Sequence, residues 1–296
     1  MKDLDYQPSA LARGMRSQTA QVIGLILPDI GNPFFTALAR AIEDAAHESG
    51  YGLLLCNSDE DPEKEQHYAE ILLAQRVAGI VLTPAAGELC EPLQACDIPL
   101  VCVERPIPGY PVDTVLLDNE SGSRMATGYL IELGHRRIGL IVGLEDGAIS
   151  QERFQGYEQA LKEAGLPIDP DLVRYGGLAE EGGYQRAQQL LDSGNPPPTA
   201  LFVSNNELAL GALRAIQSRG IQVPEALSVA SFGDMPCFSL FRPSLTVVRQ
   251  PTYQLGLEAA KLLLQRIGGQ APPAPVLMRL APMLVVGEST APPGSV

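Results

Sequence analysis

Short apolar runs closed by glycine, proline or aspartate alternate with segments of helical period along nearly the whole chain. This alternation restricts the fold more than any other feature. Strand-like runs begin near Val22, Leu53, Ile80, Leu100, Val115, Ile138, Leu172, Ala200, Ser228 and Thr246. Between the first two, residues 34–49 place Phe35, Leu38, Ile42 and Ala45 on one helical face. Asn32 suits the N-cap, Pro33 the first turn and Gly50 the stop. Residues 62–76 repeat this logic, with Tyr68, Ile71 and Leu72 expected inward, and further helices are expected to stop at Gly134, Gly165, Gly194, Gly220 and Gly268. Strands that are apolar throughout, alternating with helices, make parallel sheets covered on both faces. Ten such strands exceed one comfortable open sheet, and 296 residues are enough for two cores. The expected class is α/β, two doubly wound parallel-sheet lobes with a central ligand cleft.

Hydrophobic residues make up 45% of the chain, as in a folded protein, and the formal net charge is -14. So acidic a body repels phosphate backbones, and nucleic-acid affinity would have to come from a small separate basic module. Residues 1–20 carry a slight positive balance of that kind, Lys2, Arg13 and Arg16 against Asp3 and Asp5. The five cysteines (Cys56, Cys90, Cys96, Cys102 and Cys237) form no C-x-x-C pair and no Cys/His cluster. They read as buried thiols of a reducing compartment, not as a disulfide frame or a metal site. With no signal-peptide core and no apolar run of membrane length, a cytoplasmic location is expected.

Enzyme motifs are missing. There is no Walker-type Gly-Lys-Ser/Thr loop and no G-x-S-x-G elbow, and Gly139, Gly143 and Gly147 do not fit the dinucleotide fingerprint. His47 and His67 read as exposed on charged helices and His135 as structural. No catalytic residue, metal or cofactor is expected.

A basic, Ala/Leu-rich segment, Tyr6 to Arg16, precedes the first strand, and Asn32-Pro33-Phe34-Phe35 follows it. Five further motifs come in order. They are Leu133-Gly134-His135-Arg136-Arg137-Ile138-Gly139, Arg153-Phe154-Gln155-Gly156-Tyr157, Phe202-Val203-Ser204-Asn205-Asn206, Pro243 to Pro251, and Leu284 to Pro293. Together they cover essentially the whole chain, which resembles the lac-repressor (LacI/GalR) family of bacterial transcription regulators.

The resemblance implies a type I periplasmic-binding-protein-like fold with three crossings between lobes, near Gly134, near Leu245–Val248 and near Gly269–Ala274. The domains expected from it are a hinge-helix remnant at 1–19, an N-terminal lobe of 20–133 plus 249–271, a C-terminal lobe of 134–248 plus 272–288, and a disordered tail at 289–296. It also implies a homodimer pairing through the helices that begin at Phe34 and Pro62. A helix-turn-helix head of about sixty residues is expected upstream of Met1, and operator DNA is a partner only when that head is present. Ser9, Ala10, Arg13 and Met15 correspond to the hinge, with Met15 as the minor-groove wedge. No heptad tail for a four-chain assembly is seen.

Parallel sheets bind ligands beyond the carboxyl ends of their strands. Asp29, Asp118, Asn205 and Asp234 follow the first, fifth, eighth and ninth strands, while Ser150 and Arg153 open the helix after Ile138–Gly143. Carboxylates and an arginine fork suit vicinal hydroxyls, and Phe34, Phe35 and Phe202 could face a sugar ring. Arg153 also matches the family's effector-binding arginine, and Thr252 stands where some relatives place a bulky aromatic. Plainer readings stand beside these: Asn32 and Asn206 as helix caps, Asp29 as a turn residue, Phe35 as core, Arg153 as a salt-bridged surface residue. The family's aromatic-Asp-Asp is here Phe232-Gly233-Asp234, so Gly233 removes a carboxylate, which favours an anionic ligand such as a sugar acid. The expected function is effector binding and dimerisation in a transcription repressor that senses a sugar or sugar acid. The alternative is a solute-binding protein of a sugar transporter.

Overall fold

The structure, a computed structural model, describes residues 21–85, 89–192 and 196–294. The hinge residues Ser9, Ala10, Arg13 and Met15, and the helix stop expected at Gly194, lie outside them. The chain divides into two compact units, Met1–Leu116 with Thr252–Arg279, and Leu117–Pro251 with Leu280–Val296.

The first unit is built on β1 (Val22–Leu27), β2 (Gly52–Asn57), β3 (Ile80–Leu82), β4 (Leu100–Val103), β5 (Asp113–Leu117) and β11 (Leu277–Leu280). They lie in the order β11-β5-β4-β3-β1-β2, and β1 to β5 pair in parallel. The doubly wound order 2-1-3-4-5 places a topological switch point between β1 and β3. Helices α1 (Pro33–Glu48), α2 (Pro62–Ala74), the short α3 (Glu91–Gln94) and α8 (Thr252–Ile267) belong to this unit. Asn32 caps α1 by accepting from the Phe34 amide at 3.0 Å, and Pro33 fills the first turn. The helix buries Phe35, Leu38, Ala41, Ile42, Ala45 and Ala46, the expected face.

In α2 the face differs from expectation. Glu65, Ala69 and Leu72 are buried, at i, i+4 and i+7, whereas Tyr68 is half-buried and Ile71 is exposed. A carboxylate occupies the inward position that an apolar pattern would have assigned elsewhere. Helix α8 ends at Ile267, and the left-handed stop is Gly269 (φ 66°) rather than Gly268.

The second unit repeats the plan with β6 (Ile138–Val142), β7 (Val173–Tyr175), β8 (Ala200–Val203), β9 (Ser228–Phe232), β10 (Thr246–Arg249) and β12 (Met283–Val285). The order is β12-β10-β9-β8-β6-β7, parallel except for β12 against β10. Its helices are α4 (Asn119–Glu132), α5 (Ala148–Glu163), α6 (Glu180–Asp192) and α7 (Asn206–Ser218). They pack in pairs, α4 on α5 and α6 on α7. Both sheets are therefore doubly wound, as expected.

The unit boundaries fall elsewhere than expected. The first crossing lies between Leu116 and Leu117, not near Gly134, because α4 belongs to the second unit, where it packs on α5. The other two lie at Pro251/Thr252 and Arg279/Leu280, because β11 completes the first sheet and the Thr114 amide donates to the Val276 carbonyl at 2.8 Å. The tail also departs from expectation. Ser289 is buried, its hydroxyl accepting from the Thr246 amide and donating to the Val229 carbonyl. Thr290 meets Thr246 at 2.8 Å, and the Ala291 carbonyl accepts from the Ser228 hydroxyl at 3.1 Å and lies 2.9 Å from His135 Nε2. Backbone groups supply most of this docking, which composition does not reveal.

The cysteines are all free thiols, but only Cys102 is buried; Cys56, Cys90 and Cys237 are half-buried and Cys96 is exposed. Among the described residues no helix is long and apolar enough to cross a membrane, and no group of His, Cys, Asp or Glu could hold a metal ion.

Candidate functional site

In the second unit, polar groups gather around the carboxyl ends of β6, β8 and β9, and Arg153 is their centre. It is buried on α5, its side chain extended toward the start of α4 and the end of β8. Nε donates to Asn119 Oδ1 at 2.9 Å and Nη1 to the Ser204 carbonyl at 2.6 Å. The guanidinium carbon lies 3.9 Å from the centroid of the Phe232 ring at the end of β9. Asn119 in turn donates from Nδ2 to Glu152 at 2.9 Å.

This convergence needs α4 and α5 in close contact, and Gly156 makes it possible. A Cβ there would overlap the Glu120 carbonyl and approach Ser123 Cβ to 2.8 Å. Gly156 lies three residues after Arg153, on the same helical face. That is the physical content of the Arg-x-x-Gly spacing. The Ser123 hydroxyl closes the contact by donating to the Arg153 carbonyl. Arg153 is therefore a buried, held group and not a surface residue.

The other expected residues of this unit sort differently. Ser150 is buried beside Gly143, where a Cβ would come within 2.6 Å of the serine hydroxyl. Asp118 caps α4, accepting from the Ser121 amide at 3.1 Å. Asn205, rather than Asn206, caps α7, accepting from the Glu207 and Leu208 amides at 2.7 and 3.2 Å. The expectation for that pair is reversed: Asn206 is the first helical residue, buried next to Gly233. Asp234 is paired with Arg249 at 2.8 Å, so it does not simply replace the carboxylate missing at Gly233. Gly233 has φ 88°, and a Cβ there would lie 3.3 Å from both Asn206 Cβ and Gln250 Oε1. Phe202 is a correction: it is fully buried within β8 and offers no face to a ligand.

In the first unit, Asp29 is exposed after β1 and accepts from the Gly31 amide at 2.8 Å, the turn role weighed for it. Phe34 is half-buried and meets Phe35 edge-on, with centroids 5.0 Å apart. Phe35 itself is buried on the inward face of α1, the core role weighed for it. Thr252 opens α8, half-buried.

A second polar assembly of this unit was missed. Arg105, just after β4, holds Glu60 in a two-pronged pair at 2.6 Å and donates to the Pro84 carbonyl at 3.1 Å. From the other side, the buried Glu65 carboxylate accepts from the Ala85 amide at 2.7 Å. Burial pushes the Glu65 carboxyl up to about 7, against the opposing pull of the Ala85 amide and the Arg105 charge. The fully buried Thr83 hydroxyl, two residues before Ala85, has no hydrogen-bond partner among the described residues. The rule that polar residues follow strands points to Glu104-Arg105 as directly as to Asp29. It also picks out Asn119. Phe232 and Glu152 carried no such signal.

The groups in both assemblies accept, donate and stack; they form no nucleophile–base arrangement. Residues 127–290 match the model of the periplasmic binding protein-like domain family. The chain is 34% identical over 275 residues to the HTH-type transcriptional repressor PurR of Haemophilus influenzae (strain PittEE), covering 90% of this chain and 80% of the relative. Among solved structures, a transcriptional regulator CelR–cellobiose complex superposes with a TM-score of 0.84 at 30% identity, covering 97% of this chain and 93% of the other. A LacI family transcriptional regulator from Enterococcus faecium with bound ribose does so with a TM-score of 0.81 at 30% identity, covering 92% and 99%. These proteins are regulators, not enzymes. Two-unit architecture, strand-end polar groups and relatives agree, and the chain belongs to the LacI family of transcription regulators.

Proposed function

We propose that this chain is the effector-binding and dimerisation body of a repressor that senses a monosaccharide or sugar acid. The observation that carries the reading is Arg153, a guanidinium held in place at the carboxyl ends of β8 and β9 and stacked on Phe232. Such a fork suits hydroxyls or a carboxylate. Ser150 in the second unit, and Asp29, Phe34 and Thr252 in the first, are the further candidate contacts. Asp118 and Asn205 keep a place only through oxygen lone pairs left over from capping. The ribose and cellobiose bound by two structural relatives support a sugar. Loss of the carboxylate at Gly233 and the pairing of Asp234 with Arg249 favour a sugar acid over a neutral sugar.

Dimerisation is supported by an exposed sheet edge. Strand β2 ends its sheet with Leu54 and Leu55 exposed, and Ile71 is exposed on α2. Bare apolar edges of this kind are normally covered. The chain would work in the cytoplasm, and operator DNA is bound with a helix-turn-helix head, the hinge around Met15 acting as wedge.

The test is a thermal-shift panel of sugars, sugar acids, purines and amino acids. At least one sugar or sugar acid is expected to raise the melting temperature with concentration, as mass action requires. Stabilisation by purines or amino acids alone would overturn the sugar reading.

A further inference from the structure

Arginine offers only donors, and a buried guanidinium keeps a defined plane only if its surroundings supply acceptors in that plane. Arg153 has two such acceptors in Ser204 and Asn119. The Ser204 carbonyl belongs to the backbone and is fixed by the sheet. Asn119 is a side chain, almost fully buried, and its amide could face either way. Glu152 decides the matter. Its carboxylate accepts from Nδ2, so the amide oxygen must point at Arg153. Glu152 and Arg153 are neighbours on α5 and straddle the same amide from adjacent positions of one turn.

We propose that Asn119 is a positioning residue for Arg153: anchored by Glu152, it sets the guanidinium plane over Phe232 before an effector arrives. The role of the positioned arginine rests on the effector reading above; the brace itself does not. Preorganising a recognition group in this way spares the cost of ordering it on binding. The residue type follows from the chemistry. Aspartate would set a second carboxylate against Glu152, and alanine would remove the acceptor that faces Nε.

The test uses the full chain with 15N-labelled arginine and follows solvent exchange of the Arg153 Nε–H. Four variants are compared with the parent: Asn119→Ala, Asn119→Asp, the pair Asn119→Asp with Glu152→Gln, and Ser123→Ala. The last removes a contact between α4 and the Arg153 backbone without touching the side-chain brace. Exchange is expected to be slow in the parent and in Ser123→Ala, and about tenfold faster or more in Asn119→Ala, the loss of one charge-assisted hydrogen bond. The double variant should restore protection. There the amide introduced at position 152 can donate to the carboxylate introduced at position 119, and Arg153 keeps an acceptor. Asn119→Asp alone should fall between. Equal protection in Asn119→Ala, or equal loss in Asn119→Ala and Ser123→Ala, overturns the proposal.

A second readout uses D-ribose, cellobiose and D-glucuronate as probes in thermal shift. Where a probe stabilises the parent, Asn119→Ala should weaken its apparent affinity about tenfold and the double variant should recover it. Unchanged affinity overturns the positioning role. If Arg153→Lys leaves that probe's binding untouched while the exchange result holds, the effector reading fails and the brace stands.

Discussion

The Arg153 guanidinium lies 3.9 Å from the ring centroid of Phe232, so a cation expected to line an open cleft belongs to the interior of its own unit. On sequence grounds Arg153→Ala should abolish effector binding and leave the fold intact. The structure changes the second half of that expectation. Truncation removes donors to Asn119 and Ser204 and leaves both acceptors in a buried space. A loss of about 2–4 kcal/mol in unfolding free energy is expected, read from urea denaturation. An unfolding midpoint equal to the parent's would show that the guanidinium contributes nothing to the second unit.

Gly156→Ala tests the close contact of α4 with α5. The added methyl would overlap the Glu120 carbonyl, and backbone cannot yield as a flexible side chain can. A cost of about 1–3 kcal/mol is expected, together with faster exchange of the Arg153 Nε–H as the helices separate. Full stability in this variant would mean that the Arg-x-x-Gly spacing has no packing role.

The Glu65 carboxyl makes stability depend on pH. Its ordinary value of 4.5 is raised to about 7 by burial. Between these two values the folded state holds the proton more tightly than the unfolded state. This contribution is therefore complete at low pH and is lost as pH rises toward 7. Glu65→Gln removes it, so the variant should gain on the parent by up to about 2–3 kcal/mol between pH 4.5 and pH 8. Unfolding free energies at pH 5 and pH 8 measure the difference. Parallel pH profiles for parent and variant would contradict it.

His135 behaves in the opposite sense. Burial lowers its pKa below the ordinary 6.5, while its bond to the Ala291 carbonyl opposes the shift. Its contribution is present above 6.5 and lost as pH falls below that value, where the unfolded state takes up the proton first. Deleting residues 289–296 removes the Ala291 partner and the Ser289 and Thr290 hydrogen bonds. A cost of several kcal/mol is expected, at about 1 kcal/mol per bond. Denaturant unfolding of the truncated chain at pH 7.5 is the measurement. An unchanged midpoint would show that these hydrogen bonds contribute nothing to stability.

For assembly, the parent should sediment as a dimer at micromolar concentration, and Leu54→Glu or Leu55→Glu should shift it to monomer without loss of secondary structure. A dimer unaffected by charge on the β2 edge would place the interface elsewhere.

Much of the fold was legible because the strand–helix alternation is itself a packing instruction. Runs such as Val22–Leu27 and Ile138–Val142 are apolar on both faces, which only a covered parallel sheet tolerates. The cap Asn32 follows from the same local chemistry. Arg153 was legible as a functional candidate because its motif carried the resemblance. Its burial was not, because that depends on a glycine letting a second helix approach and on an aromatic ring arriving from β9, far along the chain. The α2 face was misassigned for a related reason: periodicity weighs apolar residues and cannot see that a loop amide at Ala85 waits for the Glu65 carboxylate.

The sequence alone determined the α/β class, the alternation of elements and the strand ends where polar groups would gather, since these rest on local periodicity and chain geometry. Tertiary structure decided which of those groups were already committed. Asn205 is engaged as a cap, Asp234 is paired with Arg249, Phe202 is sealed in the sheet, and Ser289 to Ala291 are docked largely through backbone groups. Each of these outcomes is set by partners distant in sequence or by main-chain atoms that every residue possesses. No pattern of side chains read along the chain records them.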